Sequence, residues 1–139
     1  LNPVHRSEVR VRYKETDRMG VVHHSNYVVY FEMGRTEFMR DAGISYRRLE
    51  DDGVLLTVTR VEVNYRDRGH YEDDLVIETW IEEVRPVRLT FAYRVLRKDD
   101  ERVLADGRTV LACVGRDFRP MRLPDTVGNV VRGLAVGPR

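Results

Sequence analysis

The sequence predicts a single α+β domain, a long helix wrapped by a curved antiparallel sheet. Three observations carry this. One strand-like segment precedes one long, strongly apolar helical stretch. Four strand-like segments then follow in succession. The links between those segments are short, as in Arg85-Pro86-Val87 and Lys98-Asp99-Asp100-Glu101, which suits antiparallel hairpins rather than crossovers.

Taken in order, Glu8 to Tyr13 alternates Val9, Val11 and Tyr13 with Arg10 and Arg12, the period of a half-buried strand. Gly20 and its neighbours interrupt it. A helix is expected from about Asn26 to Ala42, capped by Ser25 or Asn26 and ended by Gly43. Its first turns (Tyr27, Val28, Val29, Tyr30, Phe31, Met33) are apolar on nearly every side, the pattern of an enclosed helix. Gly34 inside it costs about 1 kcal/mol relative to Ala, which close approach of another backbone would explain. A polar stretch from Tyr46 to Gly53 follows. Strands are then expected over Val54 to Tyr65 (with Thr57, Thr59, Val61, Val63 and Tyr65 on one face), Asp74 to Val84, Arg88 to Arg97, and Val103 to Val114, where Gly107 suggests a bulge. Gly128 to Arg139, with three glycines and a proline, reads as a flexible tail, leaving a core of about 8–127 within one domain of 1–139.

At 139 residues the chain can bury a real core, and 42% hydrophobic against 34% charged residues is a globular balance. No apolar run is long enough to span a bilayer, and Leu1 to Arg6 has no signal-peptide character, so no membrane span is expected. A net charge of +1 gives no electrostatic case for nucleic acid. Arginine supplies 22 of the 24 basic residues, but they are spread along the whole chain, as surface ion pairs would be. The single cysteine, Cys113, lies in an apolar strand and reads as a buried thiol, consistent with a reducing, cytoplasmic setting.

No nucleophile elbow, phosphate loop, dinucleotide glycine pattern or C-x-x-C pair is present. What remains is the run Tyr13-Lys14-Glu15-Thr16-Asp17-Arg18-Met19-Gly20-Val21-Val22-His23-His24-Ser25-Asn26-Tyr27. It sets a carboxylate, a glycine turn and two histidines against a helix start, whose unpaired N–H groups can hold an oxyanion. On local pattern Asp17 reads first as a turn former, and His24 reads equally as a histidine near a cap. A metal held by His23, His24 and Glu32 is disfavoured, because adjacent histidines seldom share one ion and no third ligand stands at zinc spacing.

This run, with Phe31-Glu32-Met33-Gly34-Arg35-Thr36-Glu37-Phe38, resembles the hotdog-fold acyl-CoA thioesterases, and among them the 4-hydroxybenzoyl-CoA thioesterase-like family that includes the Tol–Pal-associated thioesterases. The resemblance extends over about Glu8 to Val127 and takes in Tyr71-Glu72-Asp73-Asp74-Leu75 and Arg119-Pro120-Met121-Arg122-Leu123-Pro124. It implies a thioester hydrolase with Asp17 as nucleophile or general base. The oxyanion donor falls at the backbone N–H at or next to His24. His23 replaces a residue that is often aromatic in the family. Asn26, Tyr27 and Thr59 are placed near substrate, and Arg85 and Arg88 near the CoA phosphates. No cofactor is implied beyond the CoA of the substrate. Partners are an acyl-CoA and further copies of the chain, with a homodimer as the minimal unit and a homotetramer expected. Two rivals stay open: a non-catalytic binder of acyl-CoA or acyl carrier protein, and a hydratase or dehydratase on the same fold using His23 or His24 with Glu32. The acyl group is not legible.

Overall fold

A computed structural model describes residues 2–137. Strand β1 (His5–Arg10) leads through a 3₁₀ turn (Tyr13–Glu15) to helix α1 (Asn26–Asp41). A short helix α2 (Tyr46–Asp51) follows, then β2 (Leu55–Tyr65), β3 (Asp74–Arg85), β4 (Arg88–Arg97), β5 (Val103–Val114) and helix α3 (Asp125–Leu134). The strands form one antiparallel sheet in the order β1-β3-β4-β5-β2, with α1 lying across one face. This is the hotdog arrangement expected from the sequence.

The core forms where the strand and helix periods meet. Leu89, Phe91, Tyr93 and Val95 alternate inward on β4. Tyr27, Tyr30, Phe31, Gly34, Arg35, Phe38 and Met39 make the buried stripe of α1. The Phe31 ring stacks on Tyr93 at 4.3 Å, and Phe38 meets Phe91 edge-on at 6.5 Å. Cys113 is fully buried, and burial raises its thiol pKa.

Several expectations are corrected. Helix α1 is enclosed on one side only. The sheet covers its stripe, while Val28, Val29 and Met33 remain 37%, 46% and 40% exposed on the other side. Gly34 does allow close approach, but of side chains: a Cβ there would stand 2.5 Å from Thr79 Oγ1 and 2.6 Å from Ile77 Cγ2. Gly107 is no bulge, because its register is continuous with Val63 on one side and Tyr93 on the other. A Cβ at Gly107 would run into the Glu62 carbonyl and lie 3.0 Å from the Phe31 ring. The β2 irregularity falls instead between Val58 and Arg60. It breaks the expected alternation. Leu56 and Val58 lie opposite the buried Cys113 and Leu111, and Val61 lies opposite the buried Thr109, so Thr57 does not share the inward face with Val61. The first strand ends earlier than expected, and Tyr13 turns outward, 77% exposed, on the 3₁₀ turn.

The expected flexible tail is a helix as far as Leu134. Val127 and Val131 are buried, Val130 and Leu134 pack against the core, and the Val136 N–H donates to the Ile81 carbonyl at 3.0 Å. Apolar residues at helical spacing outweigh the cost of Gly128 and Gly133. The polar stretch after α1 is helix α2, capped by Ser45 Oγ accepting from the Arg48 N–H at 3.3 Å. With Leu49 its one buried residue, it leaves no periodic trace in the sequence.

Candidate active site

The loop between β1 and α1 is shaped by backbone bonds around Asp17. Thr16 bridges Val22 in antiparallel fashion, and the Asp17 N–H donates to the Val21 carbonyl at 2.9 Å. Gly20, at φ 76°, closes the turn and donates to the Asp17 carbonyl at 3.0 Å. The half-buried Asp17 carboxylate accepts the Met19 N–H on Oδ1 at 2.8 Å. Asp17 is therefore the turn former that its neighbours suggest. Its Oδ2 accepts no hydrogen bond among the described residues, so the turn leaves one oxygen for other work.

Successive N–H groups beyond the turn are taken up by different partners. Val22 donates to the Gly69 carbonyl at 2.8 Å and His23 to the Glu15 carbonyl at 2.8 Å. The Ser25 N–H reaches His23 Nδ1 at 3.3 Å, and Asn26 donates to the His23 carbonyl at 2.9 Å. The His24 N–H makes no hydrogen bond among the described residues. It stands at the start of α1, where the helix dipole favours negative charge. The expected caps are absent. Ser25 is already helical and turns its hydroxyl to His23 Nδ1 at 2.8 Å, while the Asn26 amide donates to the Glu15 carbonyl at 2.9 Å.

Two residues that the sequence reading passed over hold this loop. Glu15 is 4% exposed. Its carboxylate accepts from the Arg12 N–H at 2.9 Å, Arg12 Nε at 2.8 Å and the Tyr30 hydroxyl at 2.9 Å. Burial pushes its pKa up, but those three donors outweigh burial and hold the carboxyl below the ordinary glutamate range. Burial, then the Glu15 carboxylate, push the Tyr30 hydroxyl pKa well up. Tyr65, at the end of β2, donates its hydroxyl to the His24 carbonyl at 3.1 Å. The Arg12-x-x-Glu15 spacing was a readable signal for the first. Nothing local marks the second, whose partner lies far away in sequence.

Because the folded pKa of Glu15 is depressed, its contribution to stability is present above about pH 4.3 and lost as pH falls through the lower folded value. Glu15→Gln should lower stability by about 1–3 kcal/mol at neutral pH. It should also flatten the acid limb of a plot of melting temperature against pH. An unchanged acid limb would show that Glu15 is not the group being titrated.

The remaining expected site residues fall into two groups. His23 and His24 are exposed, with ring centroids 4.2 Å apart. Tyr27 is buried, edge-on to Tyr30 and Tyr65 at 5.8 and 5.6 Å, and burial raises its pKa. Together with Asp17 and Asn26 these gather at one end of the sheet. Thr59, Arg85 and Arg88 lie toward the other end. Arg85 and Arg88 face each other across the two-residue turn, and Arg88 shares a row with Ala112 and Thr57. Arg85 Nε donates to Glu83 Oε1 at 2.6 Å, and the Thr59 hydroxyl donates to the Val110 carbonyl at 3.2 Å. One chain does not bring the two groups together.

The sequence profile of the Thioesterase-like superfamily matches residues 11–131. The chain belongs to this superfamily. Similar members include the putative acyl-CoA thioesterase YneP of Bacillus subtilis, 33% identical over 119 residues, 86% of each chain. The acyl-CoA thioester hydrolase YbgC of Escherichia coli O6:H1 is 32% identical over 120 residues, 86% of this chain and 89% of that one. The solved DHNA-CoA thioesterase of Staphylococcus aureus superposes with a TM-score of 0.86 at 31% identity, covering 94% of this chain and 87% of that one. The matched stretch, residues 11–131, includes the loop that carries Asp17 and strands β2 to β5. Among the described residues no helix is long and apolar enough to cross a membrane.

Proposed function

We propose that the chain hydrolyses an acyl-CoA thioester to a carboxylic acid and free CoA. The observation that carries this is the His24 N–H at the start of α1, unpaired among the described residues, next to a loop that leaves Asp17 Oδ2 without a partner among them. The N–H takes the developing oxyanion, a role for which one donor typically contributes 10²–10³ in turnover. Asp17 either attacks the carbonyl to give a mixed anhydride, or takes a proton from the attacking water. Both routes use the same oxygen. Family membership supports thioester chemistry over the hydratase rival, and a carboxylate beside the thioester has no use in a pure binder.

The proposal includes a homodimer. Strand β2 is an open edge of the sheet, and Val58, Val61 and Tyr65 on it stay 41%, 42% and 51% exposed. Long apolar edges of this kind are normally covered. Antiparallel pairing of two β2 strands about a two-fold axis near mid-strand sets the Leu55 end of one copy beside the Tyr65 end of the other and keeps Thr59 near the axis. Thr57, and with it the Arg85–Arg88 turn that shares its row, then approaches the Asp17 and His24 of the second copy. A homotetramer, covering the exposed Val28, Val29 and Met33 of α1, is the further step in this reading.

The test is free-thiol release, followed with a chromogenic disulfide, across short, long and aromatic acyl-CoAs. Release from at least one supports the reading, and silence across the panel overturns it. On the same assay, replacing Arg85 and Arg88 by Ala should raise KM several-fold with kcat nearly unchanged, because these cations would act on the nucleotide end and not on the reacting carbonyl. An unchanged KM removes them from the site.

A further inference from the structure

The backbone groups on either side of the His24 N–H are tied down. The His23 N–H donates to the Glu15 carbonyl at 2.8 Å, and the Asn26 side-chain amide donates to the same oxygen at 2.9 Å. One carbonyl thus holds both flanks of His24. The Asn26 amide also reaches the His23 carbonyl at 3.4 Å, beside the Asn26 backbone N–H at 2.9 Å. Two carbonyl oxygens facing one end of the amide settle which end is nitrogen. Glu15 is a fixed anchor, buried and held through its carboxylate by Arg12 and Tyr30. The next carbonyl, that of His24, accepts from the Tyr65 hydroxyl at 3.1 Å and the Tyr27 N–H at 3.3 Å.

The geometry of the peptide unit gives these bonds a use. The His23 carbonyl and the His24 N–H belong to one planar trans peptide and point in opposite directions. Whatever holds the carbonyl therefore aims the N–H. With the carbonyl turned toward the first turn of α1, the N–H points away from the helix, the side on which the mechanism places the oxyanion. Hydrogen bonds accepted by the carbonyl also polarise the peptide and strengthen its N–H as a donor. A side-chain amide has two N–H donors, and two carbonyls match those of Asn26. The remaining Oδ1 is an acceptor and cannot stabilise an oxyanion.

We propose that Asn26 is a positioning residue for the oxyanion donor: by bridging the Glu15 and His23 carbonyls, its side chain fixes the peptide plane that carries the His24 N–H. This rests on the thioesterase reading for its effect on rate. It moves Asn26 from the place near substrate that the family resemblance implies to one behind the reacting atoms. Asn26→Ala keeps the backbone N–H bond to the His23 carbonyl and loses the bridge to Glu15, so the donor survives but is no longer aimed. Losing a donor outright typically costs 10²–10³ in turnover, and misaiming one should cost about 10–100-fold.

The experiment reads Asn26→Ala in two ways. In the thiol-release assay kcat should fall by that factor on every acyl-CoA that wild type cleaves, with KM within about threefold. The second readout is the amide itself. Labelling only histidine with ¹⁵N gives amide cross-peaks for His5, His23, His24 and His70, assigned by replacing each histidine in turn with Gln. Those of His23 and His24 should move in Asn26→Ala, while that of His5, held by Asp41 at the other end of α1, stays in place. A kcat within about threefold of wild type overturns the inference. So does a rise in KM alone, which would return Asn26 to the substrate. A lower kcat with an unmoved His24 cross-peak overturns it too, because the effect then arises elsewhere. Should Asn26→Ala fail to fold, Asn26→Ser is read the same way: its side chain is too short to bridge to Glu15, and serine suits a helix start. If wild type cleaves no thioester, the hydrolase reading fails and the cross-peaks alone decide. A moved His24 peak then keeps the clamp, and an unmoved one overturns it as well.

Discussion

Asp17→Asn should cut thiol release from the preferred acyl-CoA by about 10²–10⁴-fold, the range typical of a lost catalytic base or nucleophile, while leaving the melting temperature within a degree or two. The substitution separates the two roles that the loop assigns to one side chain. An asparagine keeps an oxygen that can accept the Met19 N–H, so the turn closed by Gly20 survives. It loses the charge and the basicity of the second oxygen. Asp17→Ala would remove both roles and would not tell them apart. His24→Ala should cost much less than Asp17→Asn, because the backbone N–H stays in place when the ring is removed. A Asp17→Asn variant within tenfold of wild type, properly folded, would leave Asp17 only its structural role.

Gly107→Ala should be the most damaging single methyl group in the chain, lowering stability by about 3 kcal/mol or more. The added carbon meets the Glu62 carbonyl, which belongs to the neighbouring strand, on one side and the Phe31 ring on the other. The carbonyl is backbone and cannot rotate away. The ring is fixed by its stack on Tyr93. Relief requires β2 to move off β5 or α1 to lift from the sheet, and either shift displaces the Tyr65 hydroxyl from the His24 carbonyl. Stability and turnover should therefore fall together, the melting temperature by about 10 °C or more. A variant that melts like wild type would mean that the sheet yields more easily than this packing allows.

The parts of this molecule legible in the sequence are those written in a period. Strands β3, β4 and β5 and helix α1 declare themselves through alternation or an apolar run, and each falls within a residue or so of its expected bounds. Asp17, Gly20 and the helix start could be read because a turn and the onset of an apolar run are local, although neither expected cap forms. Contacts between distant residues could not. Gly107 looks the same in sequence whether it relieves a bulge or makes room for a ring from another element. Arg35 one turn after Glu32 looks like an ordinary helical ion pair until its guanidinium is found turned toward Tyr93. Helix α3 failed for a different reason: glycine content suggested disorder, whereas the spacing of Val127, Val130, Val131 and Leu134 decided the matter.

The separation of Asp17 and His24 from Thr59, Arg85 and Arg88 along one sheet has a consequence for regulation by concentration. On the two-fold pairing proposed above, a lone folded chain owns two half-sites and no whole one. Assembly and the appearance of activity are then a single equilibrium, and mass action on the chain sets how much enzyme exists. Dilution would switch the protein off without unfolding it, and a cell could set its thioester turnover by expression level more steeply than in direct proportion.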